Sequence, residues 1–173
     1  TLDTESAIQL ATFDGITISL GAITSIDTQT AKALASSEWI ALELSGVTNL
    51  NTQTAMELAT FKNQLTLTGL TNIDVETAKA LANYTGPFLH LDGLTQLDSH
   101  TAKALTTTKQ SNDSIWDRRL ILTLNGIHHL DDNTARALAN SKWKQINLNG
   151  INHLRANIAR ELASFKGENI FLD

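Results

Sequence analysis

A short phrase recurs along this 173-residue chain: Leu-x-Leu or Ile-x-Leu, one polar residue, glycine, then an aliphatic residue. Its glycines are Gly46, Gly69, Gly93, Gly126 and Gly150. The steps between them are 23, 24, 33 and 24 residues, so one interval carries an insertion. A fixed period of about 20 to 50 residues is typical of stacked repeats, in which each unit contacts only its neighbours. The spacing therefore predicts a solenoid.

Each repeat changes its hydrophobic period from two to about 3.6. Leu65 and Leu67 alternate with threonines, which indicates a short strand with one buried side, whereas Ala78, Leu81 and Ala82 follow the i, i+3, i+4 spacing of a helix. Each unit is therefore predicted to run strand, turn, helix. The sequence predicts an α/β solenoid with roughly seven short parallel strands on one face and six or so helices or helical turns on the other.

Local signals mark the boundaries of the predicted elements. Aspartate or asparagine precedes the helical runs and is predicted to cap them, at Asp27, Asn51, Asp74, Asp98 and Asp131. The glycine after each strand is predicted either to adopt a positive φ or to allow close approach of another backbone segment. In the first full repeat Ala22 takes that place, directly after Gly21.

The chain divides into units that cannot fold alone and must bury their apolar side chains by stacking. We predict a partial repeat at 1–15, repeats at 16–39, 40–63, 64–87, 88–119, 120–144 and 145–168, and a partial repeat at 169–173. Both ends match incomplete repeats, which predicts a fragment of a longer protein and end-to-end contacts between fragments through uncapped termini.

Aligned repeats predict three buried rows. The first strand row is Leu42, Leu65, Leu89, Leu122 and Ile146. The second is Leu44, Leu67, Leu91, Leu124 and Leu148. The helix row pairs alanines with Leu34, Leu58, Leu81, Leu105, Leu138 and Leu162.

The pattern L-x-L-x-G-[LIV]-T-x-[LI]-D-x-x-T-A-x-A-L-A resembles the leucine-rich repeat and is similar to repeats of large bacterial proteins. It covers nearly the whole chain. The asparagine that leucine-rich repeats usually bury is replaced by Val47, Leu70, Leu94 and Ile127. The threonines one residue later, such as Thr71 and Thr95, are candidates to bond the neighbouring turn instead. The resemblance implies a curved parallel sheet used for protein recognition, and it implies no catalytic residues.

Composition narrows the classes of partner. A net charge of −5 argues against nucleic acid or an anionic membrane as the main partner. No apolar run reaches transmembrane length, so no membrane insertion is expected. The chain has no cysteine, which excludes disulfides and thiol chemistry and fits a bacterial protein.

The predicted outward side of the sheet carries the principal candidate site. One column is Ser19, Glu43, Thr66, His90, Thr123, Asn147 and Phe171, and the next is Ser45, Thr68, Asp92, Asn125 and Asn149. Neighbours in a column lie about 4.8 Å apart. These side chains are a candidate hydrogen-bonding surface for a protein or peptide, and the alternative is an ordinary solvated sheet face.

The insertion near 110–119 is a second candidate contact. It contains Trp116, Arg118 and Arg119, and Trp and Arg are enriched among residues that dominate interface energies. The alternative is that Ile115 and Trp116 fold back over the neighbouring helices. Trp116→Ala separates the two, because it weakens binding in the first case and stability in the second.

Other chemistry is weakly indicated. His129 and His153 align in adjacent repeats and are conceivable metal ligands, although exposed turn histidines are the simpler interpretation. An exposed basic row on the helices is interpreted as solvated. No catalytic motif and no cofactor motif occurs. We therefore predict a non-catalytic interaction module, with an architectural spacer as the alternative and an ice-binding surface or an enzyme as weaker possibilities.

Overall fold

A computed structural model describes residues 1–107, 120–141 and 143–172. Within these ranges seven strands alternate with seven helices. The strands are β1 (Thr17–Ser19), β2 (Ala41–Glu43), β3 (Gln64–Thr66), β4 (Phe88–His90), β5 (Ile121–Thr123), β6 (Gln145–Asn147) and β7 (Asn169–Phe171). The helices are α1 (Thr4–Ala11), α2 (Thr28–Ala35), α3 (Thr52–Leu58), α4 (Val75–Leu81), α5 (Ser99–Thr106), α6 (Asp132–Ala139) and α7 (Ala156–Leu162).

The strands form one open, parallel sheet whose spatial order is the order along the chain. Every helix packs on the next helix, just as every strand pairs with the next strand. This alternating, repeat-like α/β arrangement agrees with the predicted strand–turn–helix unit. The strands are only three residues long, so stability has to come from stacking of successive units.

The strand register confirms the predicted columns. Ser19 pairs with Glu43, and the same column continues through Thr66, His90 and Thr123. It then reaches Asn147 and Phe171. Because a slip of one residue would turn every side chain to the opposite face, this agreement fixes which residues point outward.

The core lies between the sheet and the helices. The two predicted strand rows are fully buried, including the leucines that directly follow each strand, such as Leu44 and Leu67. A further inward row consists of Val47, Leu70, Leu94 and Ile127, each with no exposed surface. Apolar side chains thus fill this row as well, so the core extends into the turn that follows each strand.

The predicted helix caps are confirmed. The side chains of Asp27, Asp74 and Asp131 each accept a hydrogen bond from the backbone N–H three residues later, at 2.7 Å. Asn51 does the same at 2.8 Å. These bonds satisfy N–H groups that the first turn of a helix leaves without partners. Helix α7 differs, because Arg155 takes the capping position and makes no side-chain cap bond.

The recurring glycine is explained by close approach and not by a positive φ, which no described residue adopts. A Cβ atom added at Gly93 would lie 2.0 Å from the carbonyl oxygen of Thr68 in the preceding turn. The corresponding carbonyl crowds Gly126 and Gly150 as closely. Gly21 has nothing within 4 Å of such an atom. The glycine is therefore required wherever one turn stacks on the turn before it.

Aromatic side chains occupy the segment between helix and strand, a location that the sequence patterns did not reveal. Trp39, Phe61, Tyr84 and Trp143 are all nearly or completely buried there. The Trp39 indole N–H donates to the carbonyl of Phe13 at 3.0 Å, and the Tyr84 hydroxyl donates to the carbonyl of Phe88 at 2.9 Å. Burial raises the pKa of Tyr84 above its ordinary range. The hydrogen bonds of Trp39 and Tyr84 each join one repeat to a neighbouring repeat.

In the described ranges, no helix has both the length and the apolar character needed to cross a membrane.

Candidate functional site

The open face of the sheet consists of the side chains that alternate with the buried leucines. Three of the predicted candidates on it, Glu43, Thr66 and His90, are half-buried. Asn125 and Asn147 are also half-buried, whereas Asn149 is exposed. Partial burial of polar groups on a sheet face indicates that neighbouring side chains contact one another.

Strands β4 and β5 hold a chain of hydrogen bonds that joins four of the predicted residues. Thr123 lies at its centre, with Oγ1 3.0 Å from His90 Nδ1 and 2.7 Å from Asp92 Oδ2. The other carboxylate oxygen, Oδ1, accepts from the Asn125 backbone N–H at 2.9 Å. The imidazole and the carboxylate are themselves 3.8 Å apart. We call these four residues the β4–β5 cluster.

The bond directions in the β4–β5 cluster follow from counting protons. A hydroxyl has one proton, and Thr123 donates it to Asp92, so the contact with His90 requires Nδ1–H of the imidazole as the donor. In neutral His90 the proton therefore resides on Nδ1 and the lone pair on Nε2. The cluster thus fixes the tautomer of His90 and gives its second nitrogen the role of an acceptor.

The electrostatics of Asp92 reflect a competition between burial and hydrogen bonding. Burial by itself would raise the pKa of this carboxyl. The nearby His90 imidazole at 3.8 Å, with the hydrogen bonds from the Asn125 backbone and the Thr123 hydroxyl, outweighs burial and holds the pKa of Asp92 below its ordinary value. Asp92 is consequently a carboxylate at neutral pH, held in one position by several donors.

The polar network continues onto β6. Asn125 Oδ1 accepts from the Asn149 backbone N–H at 3.1 Å, and Gln145 Nε2 donates to Asn147 Oδ1 at 2.9 Å. Six of the predicted candidates therefore lie in one region, namely the four residues of the β4–β5 cluster with Asn147 and Asn149 beside them. Glu43 and Thr66 lie on the same face in the pairing register, on β2 and β3.

A third outward column was missed by the sequence analysis. It begins each strand and contains Thr17, Ala41, Gln64, Phe88, Ile121, Gln145 and Asn169. Phe88 pairs with Ile121 across β4 and β5, and both are partly exposed. The Phe88 ring is parallel to the His90 ring, with centroids 6.3 Å apart. A small apolar surface, the Phe88–Ile121 shelf, therefore adjoins the polar cluster.

Charge is distributed unevenly between the two sides of the molecule. Among the described residues of the open face, Glu43 and Asp92 are carboxylates, and no position carries lysine or arginine. The predicted basic row lies on the opposite side, exposed along the helices at Lys32, Lys79, Lys103, Arg136 and Arg160. Arg136 is paired there with Glu161, at 2.8 Å. The sheet side thus presents acceptors and negative charge.

The remaining predicted sites are the insertion and the two histidines that align in adjacent repeats. Trp116, Arg118 and Arg119 of the insertion lie outside the described residues. His129 and His153 line one cavity of about 130 Å³, as the alignment suggested, but Arg155 lines it too. Within the described ranges no three histidine or acidic side chains lie close enough together to hold a metal.

The Thr123 hydroxyl of the β4–β5 cluster is not placed for nucleophilic attack. The Thr123 side chain is buried, with 4 % of its residue surface exposed, and its proton is directed at Asp92. A nucleophilic hydroxyl needs the reverse arrangement, in which its proton points to the base and its oxygen to the substrate. The His90 and Asp92 side chains are 24 % and 27 % exposed, and the bonds within the cluster leave the imidazole Nε2 and the remaining lone pairs of the carboxylate unused.

No protein-family model matches this chain, and the search of curated proteins finds no match either.

Proposed function

We propose that this chain is a leucine-rich-repeat-like solenoid that serves as a non-catalytic interaction module and binds a protein or peptide partner through the open face of its sheet. The proposal combines the repeat pattern, the single parallel sheet and the uninterrupted inward rows. Helices cover one side of such a sheet, so the other side is left free for a partner.

The observation that carries the proposal is the β4–β5 cluster. Its side chains are already held by hydrogen bonds between two strands, so a partner would not have to pay for ordering them. Immobilising a flexible side chain costs about 0.5–1.5 kcal/mol on binding, and a preorganised surface avoids that cost. A merely solvated face has no need of such order.

The test is capture of proteins from an extract of the source organism by the immobilised chain. Two variants address the open face with little change of shape: His90→Asn keeps a donor near Nδ1 and removes Nε2, and Asp92→Asn keeps the acceptor oxygen and removes the charge. The matched control is Lys32→Ala with Lys103→Ala, on the exposed helix side. We expect a retained partner to be lost with the first pair and kept with the control.

The 110–119 insertion is included in the proposal as a second contact. Trp116→Ala should weaken capture of the same partner without changing the urea midpoint. A lowered midpoint with unchanged capture would instead assign Trp116 to packing against the repeats.

An architectural spacer is the alternative function, favoured by the continuity of the core through all described repeats. It predicts that nothing is retained by the unmodified chain, or that retained proteins are indifferent to both open-face variants.

A further inference from the structure

We propose that the β4–β5 cluster is a subsite for a basic side chain, arginine or lysine, on an extended segment of the partner whose neighbouring apolar residue rests on the Phe88–Ile121 shelf. This inference rests on the proposed function and specifies the chemistry that the open face recognises.

The cluster favours a cationic donor because the groups of His90 and Asp92 that its internal bonds leave unused are acceptors. Thr123 and the Asn125 backbone each use one lone pair of the Asp92 carboxylate, which has about four in all. His90 contributes the lone pair of Nε2, since Nδ1 carries the proton. An ammonium or guanidinium group brings three or five N–H donors and no acceptor, so it matches this set.

The negative charge of the open face also favours a basic side chain. A carboxylate on this side would meet Asp92 and Glu43 with no lysine or arginine among the described open-face residues to compensate. Bound cations gain from the fixed Asp92 charge because hydrogen bonds to ionised groups are stronger than neutral ones. The described basic row, from Lys32 to Arg160, lies along the helices on the other side of the sheet.

The shelf adds a requirement on sequence spacing. Phe88, His90 and Asp92 are successive outward positions of one strand and its continuation, separated by about 6.6 Å per step. An extended partner segment along the strand repeats its side chains at the same interval. If the partner segment places an apolar residue over Phe88 and Ile121, its residue two positions later lies above His90. A long side chain at that position reaches Asp92. For a segment that runs parallel to β4, the recognised pattern is apolar, any residue, then Arg or Lys.

The probe is the peptide acetyl-Leu-Thr-Arg-Thr-amide, added to the ¹⁵N-labelled chain and followed by NMR. We expect saturable shifts at the amides of His90, Asp92, Thr123 and Asn125. Two matched peptides replace Arg by uncharged citrulline or Leu by Ser. The citrulline peptide should bind about tenfold more weakly, as expected for loss of one charge-assisted contact at a partly exposed site.

Protein variants assign the contact. Asp92→Asn should reduce affinity for the arginine peptide to that of the citrulline peptide, whereas Glu43→Gln, which removes the other carboxylate of the face, should leave it nearly unchanged.

The outcomes separate this inference from the proposed function. If a captured partner depends on the open-face variants but the arginine and citrulline peptides bind equally, or shift residues elsewhere, the basic subsite is refuted and the interaction module stands. If the arginine peptide shifts the cluster selectively, the subsite is supported. If neither a partner nor the peptide engages the open face, both ideas fail.

Discussion

The two sides of the same strands follow opposite rules. The inward positions hardly change from repeat to repeat, with leucine or isoleucine at every place of both buried rows. The outward positions of those strands change at each step, so that Glu43, Thr66, His90 and Thr123 are neighbours in one column. Constancy on one side reflects a packing problem that is the same in every repeat. Variety on the other side lets one region, the β4–β5 cluster, differ from the rest.

The largest expected effect tests the inward side. Leu67 is fully buried in the middle of the stack, and Leu67→Ala should lower the free energy of unfolding by about 2–5 kcal/mol because it removes contacts and leaves a cavity. Its neighbour on the open face is the control: Thr66→Ala should change stability by no more than about 0.5 kcal/mol. Urea unfolding measures both, and equal effects would contradict the division between the two sides.

The second prediction concerns the turn that all stacked repeats share. Gly93→Ala would place a methyl group against the Thr68 carbonyl, so backbone has to shift and the expected cost is about 1–3 kcal/mol. Gly21→Ala meets open space and should be neutral or stabilise the chain by about 0.4–1 kcal/mol through the unfolded state. Thermal melts of the pair distinguish a requirement for close approach from a general preference for glycine, which would make both variants unstable.

The positions that repeat were also the positions that could be predicted. The spacing of the glycines, the leucine rows and the capping residues identified the elements and their register, because each signal recurs for one physical reason. The sequence did not decide whether the glycine adopts a positive φ or is crowded by another turn. Crowding depends on how the turns stack and not on the turn itself. The caps were predictable from chain-local chemistry alone.

What escaped prediction depends on contacts between different units. Phe88 and Ile121 were missed because the column of residues that begin the strands contains six residue types at seven positions, so no pattern recurs in it. The bond from Thr123 to Asp92 joins residues 31 positions apart across the insertion, so no local sequence pattern predicts it. The aromatic residues of the helix-to-strand segments likewise follow helices at variable spacing, as Trp39 and Phe61 illustrate.

The third prediction compares the capped start of α6 with the start of α7, where Arg155 takes the capping position and makes no cap bond. Asp131→Ala removes the cap of α6 and should cost about 1 kcal/mol. Arg155→Asp restores in α7 the residue type that caps its neighbours, and it should stabilise the chain by up to about 1 kcal/mol through the cap and the helix dipole. Urea midpoints measure both. A destabilised Arg155→Asp variant would show that the arginine makes a contribution that outweighs a cap.

The smallest expected effect is the pH dependence of stability that a capping aspartate causes. A capping asparagine at the same repeat position causes none, because its side chain does not titrate. The hydrogen bond from the backbone N–H of Thr77 lowers the pKa of Asp74 in the folded chain against the opposing effect of burial. In the unfolded chain the carboxyl titrates near its ordinary value of about 3.9. Because the folded pKa is the lower one, its contribution to stability is complete above about pH 5 and is lost as the pH falls through the folded pKa.

Asp74→Asn isolates that contribution, because asparagine keeps a capping oxygen that does not titrate, as Asn51 does one repeat earlier. We expect the variant to have nearly the stability of the unmodified chain at pH 7 and a smaller loss of stability between pH 5 and pH 3. Asp98 and Asp27, whose pKa values are also lowered by cap hydrogen bonds, still titrate in the variant, so the acid sensitivity should be reduced and not abolished. Urea titrations at pH 7, 5, 4 and 3 measure the difference. Superimposable pH profiles would mean that the Asp74 bond persists in the unfolded chain or adds nothing to the folded one.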